Sequence, residues 1–141
     1  MNQCPTDWEA EGDHCYRFFN TLTTWENAHH ECVSYSCSTL NVRSDLVSVH
    51  SAAEQAYVFN YWRGIDSQAG QLWIGLYDKY NEGDFIWTDG SKVGYTKWAG
   101  GEPNNHNNAE DYGQFRHTEG GAWNDNSAAA QAKYMCKLTF E

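Results

Sequence analysis

The chain is short of positive charge, of proline and of long apolar runs. Nine Lys and Arg face nineteen Asp and Glu, for a net charge of -10. That balance speaks against nucleic acid as a partner, because phosphate binding needs basic patches. It speaks equally against adhesion to anionic membrane surfaces. No stretch approaches the ~18 consecutive apolar residues of a membrane-spanning helix, so membrane insertion is not expected. No Cys-x-x-Cys pair has a matching second pair, which removes a zinc knuckle. There is no Asn-x-Ser/Thr sequon and no Gly-x-Ser-x-Gly elbow. Apolar residues still make up 40% of the 141 positions, enough for a core and too many for disorder.

What the chain has in quantity is aromatic residues, glycine and acid. Seven Trp, nine Tyr and twelve Gly, with short apolar runs, read as a β-rich, loop-rich domain. Neither an internal repeat nor a linker is visible, so residues 1–141 are expected to form one domain. The five cysteines, Cys4, Cys15, Cys32, Cys37 and Cys136, spread along the chain as in an oxidised, secreted framework. Five is odd, so one thiol is free or pairs between chains. No signal peptide precedes Cys4, and Met1 reads as a start placed before a mature domain.

Along the chain, two aromatic stretches flank a Glu11-Gly12-Asp13 turn and read as a hairpin closed by Cys4 and Cys15. Thr23 or Thr24 caps a first helix running through Trp25, Ala28, His29 and Cys32. Ser51 and Glu54 form a capping box for a second helix, which would place Ala53, Ala56, Tyr57 and Tyr61 on one face. Leu46 to Val49 is expected to be a short strand, and Leu72 to Leu76 a buried one. From Asp78 to Asn108 the chain is mostly polar and Gly-rich. So long a loop in a compact domain is functional or pinned, and a metal would pin it. Two last strands surround a polar loop near the C-terminus.

The polar region carries Glu102-Pro103-Asn104, Glu110-Asp111 and Asn124-Asp125. Calcium takes six to eight oxygen ligands, with carboxylates balancing charge and amide carbonyls completing the shell. Glu102, Asn104, Glu110, Asn124 and Asp125 supply that mixture, and Pro103 would fix the backbone between two of them. Any one of these residues alone is better read as a solvated loop residue.

Trp73-Ile74-Gly75-Leu76, Glu102-Pro103-Asn104, Glu110-Asp111, Trp123-Asn124-Asp125 and Cys136, in that order, resemble the C-type lectin domain family over essentially the whole chain. The resemblance implies an α+β fold with two helices, a small mixed, mainly antiparallel sheet and a long calcium-binding loop region. It implies a non-enzyme, secreted and extracellular, that binds cell-surface or soluble glycans with calcium as cofactor. The primary calcium would sit on Glu102, Asn104, Glu110, Asn124 and Asp125. An auxiliary ion would sit on Asp78, Glu82, Asn105, Glu110 and Asp111, where Asn105 replaces the usual carboxylate.

Sugar contacts would come from Glu102, Asn104, His106, Glu110 and Asn124. Glu-Pro-Asn goes with mannose-type sugars in this family, and Gln-Pro-Asp followed by a Trp with galactose-type sugars. The rest of the chain is most similar to sea-cucumber members of the N-acetylgalactosamine-binding kind. A scaffold of one class with the triplet of the other is expected of a redesigned specificity. Two alternatives stand beside the mannose reading: retained galactose or N-acetylgalactosamine recognition, and a structural or ice-binding member that needs no sugar.

The resemblance pairs Cys4 with Cys15 and Cys32 with Cys136. Cys37 matches nothing in the family and is expected to join a second chain in a homodimer. A further family disulfide is replaced by Tyr112 and Ala128, expected to fill the same space.

Overall fold

A computed structural model describes residues 3–78, 84–102 and 110–141. The chain opens with a hairpin, β1 (Glu9–Glu11) and β2 (His14–Thr23). Gly12 turns it with φ +60°, a backbone region that costs glycine nothing. Cys4 and Cys15 are disulfide-bonded, Cα atoms 5.6 Å apart, which ties the N-terminal segment to β2.

Helix α1 (Trp25–Val33) starts where the Thr24 hydroxyl accepts a hydrogen bond from Asn27 N, satisfying one of the orphan donors of the first turn. It buries Trp25, Ala28 and Cys32, and Cys32 is bonded to Cys136. Helix α2 (Ala52–Ile65) starts at Ser51, whose hydroxyl accepts from Glu54 N. The Glu54 carboxylate returns to His50 N rather than to Ser51 N, one residue earlier than the simple capping box. The buried face of α2 is Gln55, Val58 and Trp62, while Ala53 and Ala56 are exposed. The buried face is therefore rotated from the one expected from the sequence. Tyr57 and Tyr61 lie at its margin, where the Tyr61 hydroxyl accepts from Phe18 N.

The sheet holds eight strands among the described residues. Beyond the hairpin they are β3 (Val42–Leu46), β4 (Gln71–Tyr77), β5 (Ile86–Trp87), β6 (Glu110–Arg116), β7 (Trp123–Ser127) and β8 (Ala132–Phe140). Their order is β1-β2-β8-β4-β6-β7, with β3 on β8 and β5 on β4. All pairs are antiparallel except β4 with β8, where Leu72 lies opposite Lys133. The strand expected over residues 46–49 lies earlier, at Val42–Leu46. Residues 47–49 instead run as irregular backbone tied by Val47 N to Met135 O at 3.0 Å and Gly75 N to Val47 O at 2.9 Å. Gly75 is required there: a Cβ would stand 2.8 Å from Leu46 O and 2.9 Å from the Thr88 hydroxyl.

Strands β6 and β7 carry the C-terminal part of the polar region. Strand β6 is not legible in the sequence, because its polar composition, Glu-Asp-Tyr-Gly-Gln-Phe-Arg, reads as loop until β4 and β7 pair on either side. The core falls into two clusters. Trp62, Ile74, Trp87, Phe115 and Trp123 lie under α2 and the long loop. Trp25, Leu46, Trp73, Tyr112 and Cys136 lie under α1.

Candidate functional site

Trp123 is the anchor of the polar region. It is fully buried, and its indole N–H donates to Gln55 Oε1 on α2 at 2.9 Å. Its backbone pins the loop before Glu102: Trp123 N donates to Lys97 O at 2.7 Å, and Ala99 N donates to Trp123 O at 2.8 Å. The turn then closes with Glu102 N on Ala99 O at 2.9 Å, around Gly101 at φ +80°. Helix α2 also holds the β6–β7 turn, since Gln55 Nε2 donates to Gly120 O and Gly121 O at 2.9 and 3.0 Å. Gly121 is needed for this approach, because at φ +81° a Cβ would come within 2.7 Å of the Phe115 ring. The core thus delivers Glu102 beside β6.

Strand β6 then touches each described candidate in turn. Glu102 Oε2 is 2.7 Å from the Arg116 guanidinium, with the carboxylate 6% exposed and the Arg 34%. Asn124 lies opposite Gln114 in the ladder, and its Oδ1 accepts from Gln114 Nε2 at 3.1 Å. The Asn124 amide N–H₂ donates to Asp125 O at 3.1 Å. Asp125 is buried opposite Gly113. Asp78, also buried, donates its backbone N–H to Asp111 O at 2.9 Å, so these two acids leave the chain side by side. Gln114 and Arg116 are two residues apart on a strand and so share a face. Glu102 and Asn124, from segments far apart in sequence, each meet a residue of that face.

Glu82, Pro103, Asn104, Asn105 and His106 lie outside the described residues, and of Glu110 only the backbone is described. Among the described residues no group of three or more His, Cys, Asp or Glu is close enough to hold a metal. The donor set nevertheless suits a hard cation, with Glu102, Asp78, Asp111 and Asp125 as acids and Asn124 as a neutral oxygen donor. Asp111 Oδ1 is buried with no hydrogen-bond partner among the described residues, the condition of a carboxylate oxygen in need of a cation.

Sequence reasoning missed Arg116 and Gln114. A period-two reading of residues 110–116 would have put them on one face with Tyr112, but Gly113 and the acids hide the strand. Tyr112 itself is buried, its ring stacked 4.5 Å from Trp25 and its hydroxyl donating to Glu26 at 2.7 Å, while Ala128 is exposed. Cys37 carries a free thiol, half-buried at the start of a 3₁₀ turn (Ser38–Leu40). The Thr39 hydroxyl, 3.2 Å away, holds the thiol below its ordinary pKa. None of the described helices is long and apolar enough to cross a membrane.

Comparison with known proteins agrees with this architecture. The family model of the lectin C-type domain matches residues 21–138. A crystal structure of the C-type lectin CEL-I from Cucumaria echinata superposes with a TM-score of 0.98 and 98% identity, covering 99% of this chain and 100% of that one. Echinoidin of Heliocidaris crassispina is 36% identical over 96% of both chains. An alpha-N-acetylgalactosamine-specific lectin of Patiria pectinifera is 37% identical over 94% of this chain and 78% of its own. With the family model spanning most of the chain, the protein belongs to the C-type lectin domain family, a family of carbohydrate-binding domains and not of enzymes.

Proposed function

We propose that this lectin binds mannose-type sugars in a calcium-dependent way. The observation that carries the reading is the shared face of β6, where Arg116 contacts Glu102 and Gln114 contacts Asn124. Glu102, Asn104, Glu110, Asn124 and Asp125 are the residues that would hold the primary calcium. Asp78, Glu82, Asn105, Glu110 and Asp111 would hold an auxiliary ion, less tightly because Asn105 brings no charge. When bound, the primary ion offers coordination positions to two vicinal sugar hydroxyls. The protein orients those hydroxyls: Glu102 and Glu110 accept hydrogen bonds from them, and Asn104 and Asn124 donate amide N–H to their oxygens. His106 stands where galactose-type members place a Trp, which leaves a galactose ring without a stacking face. For Asn124 to serve, its amide N–H₂ has to leave Asp125 O, a rearrangement within one residue.

Calorimetry with mannose, with and without EDTA, tests this. Binding is expected in calcium and lost in EDTA, and to weaken as pH falls towards about 4 to 5, where the carboxylates protonate. Undiminished binding in EDTA overturns the calcium bridge. A second reading, N-acetylgalactosamine recognition, is favoured by the relative whose name specifies that sugar. Tighter binding of N-acetylgalactosamine than of mannose would establish it.

The partners in this reading are glycans met outside the cell, engaged by a disulfide-linked dimer through Cys37. The free thiol lies beside Leu40, which is 70% exposed, so an apolar contact accompanies the bond. Two sites per particle convert weak single-site binding into avidity. Non-reducing electrophoresis should show a dimer; a monomer band with an alkylatable Cys37 rules it out.

A further inference from the structure

We infer that Gln55, an α2 residue that supplies no ligand, is the positioning residue that presets the ligand-bearing segments and so sets how tightly the proposed calcium is held. The inference rests on the function proposed above. Gln55 is 3% exposed, and its side-chain amide is used at both ends. Its Oε1 accepts from Trp123 Nε1 at 2.9 Å, and its Nε2 donates to Gly120 O and Gly121 O at 2.9 and 3.0 Å. An indole N–H on one side and two carbonyls on the other admit an amide in one orientation. A carboxylate has no donor for the carbonyls, and an apolar side chain serves neither side. The base of this arm is fixed. Gln55 N is bonded to Ser51 O at 2.9 Å, and Glu54 beside it is 2.6 Å from Lys137 of β8.

Both partners of the amide need holding. Glu119, Gly120 and Gly121 run in succession at φ +54°, +65° and +81°. Left-handed backbone costs a residue other than glycine, so Glu119 keeps it only where the surroundings impose it. The other partner, Trp123, is where the proposed ligands branch. Asn124 and Asp125 follow it directly along β7. Its backbone is bonded to the segment that ends at Glu102, through Lys97 O at 2.7 Å and Ala99 N at 2.8 Å. A rotation of the indole therefore shifts one set of ligands against the other. Loss of the amide would force such a rotation, because the indole N–H would be left unpaired at zero exposure. A hard cation gains from carboxylates and amides already in place, since it then has little ordering to impose.

Gln55→Met tests the inference in the full chain, with Val58→Ala, on the same buried face of α2, as control. Met keeps the length of the side chain and loses both polar ends, while Val58→Ala weakens the fold without touching the amide. Calcium alone is titrated calorimetrically, then mannose in saturating calcium, and backbone amide exchange is followed in EDTA and in calcium. Gln55→Met is expected to bind calcium about threefold to thirtyfold more weakly, the scale of coupling through a packed network. Mannose affinity in saturating calcium should stay near that of the parent, because the bound ion restores the geometry. In EDTA the amides of Ala99 and Trp123 should exchange faster in the variant, with those of Val58 and Trp62 still protected, and calcium should restore them. Val58→Ala should melt at a lower temperature yet bind calcium as the parent does. Loss of calcium affinity in Val58→Ala as well would assign the effect to general destabilisation and overturn the inference. The parent supplies a test that needs no variant to fold: rapid exchange of Ala99 and Trp123 in EDTA, with α2 protected, overturns it too. Unchanged calcium affinity in Gln55→Met, with a parent that binds calcium, overturns the inference alone. A parent that takes up no calcium overturns the proposed function and the inference with it.

Discussion

Two half-buried glutamates with enclosed carboxylates meet two cations in this molecule, and they are built to opposite ends. Glu54 accepts from His50 N at 2.9 Å, from the Tyr16 hydroxyl at 2.6 Å and from Lys137 Nζ at 2.6 Å. Lys137 also reaches Ser48, whose hydroxyl donates to Asp89 at 2.6 Å. Both ends of the Glu54–Lys137 pair are enclosed, at 12% and 5% exposure. A cavity of about 440 Å³ lies beside it, lined by His14, Asp45, His50 and Asp89 among others. Glu102 is as deeply enclosed, but its Arg116 partner is 34% exposed, and the protein chain beyond Glu102 continues into the triplet. The first pair links α2, β2 and β8, and both its partners are enclosed. The second has a cation that solvent can take back. Equal chemistry thus gives a fixed joint in one place and a negotiable one in the other, according to how many partners the acid has and whether the cation can be rehydrated.

The sharpest way to break this comparison is Lys137→Met. Removing one partner of an enclosed pair leaves an uncompensated buried charge, so a loss of about 3 to 5 kcal/mol is expected by chemical denaturation. Arg116→Gln should cost the calcium-free chain visibly less. Equal losses would mean that the two joints are alike.

Acid sharpens the comparison next. Burial alone would raise the Glu54 pKa, but the hydrogen bonds from Lys137 and Tyr16 outweigh it and hold the group below its ordinary 4.5. A depressed folded value means that the pair stabilises fully above about pH 4.5 and progressively less as pH falls through the folded value. His14, lowered from 6.5 by burial and then by Lys137, acts in the same direction and begins the decline earlier. Melting temperature against pH should therefore fall on acidification, first below about 6.5 and more steeply below about 4.5. In Lys137→Met the second step should vanish or reverse, because burial would then dominate at Glu54. Persistence of the step in that variant would assign it to other carboxylates, Asp89 first.

The smallest and most specific effect concerns the triplet. Glu102→Gln, Asn104→Asp and His106→Trp together move the negative charge across the site and add an aromatic face. Each mispaired group costs about 1 to 3 kcal/mol, and a stacking ring contributes about 1 kcal/mol. Calorimetry should show preference moving from mannose towards galactose or N-acetylgalactosamine. His106→Trp alone should move it little.

The hairpin, the two capped helices and the Trp-Ile-Gly-Leu strand are legible because each is encoded by neighbours along the chain: a turn at Gly12, hydroxyl caps at Thr24 and Ser51, and one continuous apolar run. The buried face of α2 is easily misread because Gln55 looks like a surface residue until its amide is seen engaged at both ends, on Trp123 and on the glycine turn. Strand β6 escapes notice for a related reason. Its polar side chains are matched to partners on other segments, and composition alone records only that they are polar.

By itself the sequence determined the family, through motifs whose order survives any folding, and with it the acids and amides offered to a cation and the cysteines that could pair. The tertiary structure decided which of these groups meet. Glu102 lies beside Arg116, and Asn124 beside Gln114, only because Trp123 pins one loop while two strands enclose β6. Pairing of that kind depends on burial and on contacts distant in sequence. It converts the same acidic residue into a ligand or a rivet, and no local pattern records the difference.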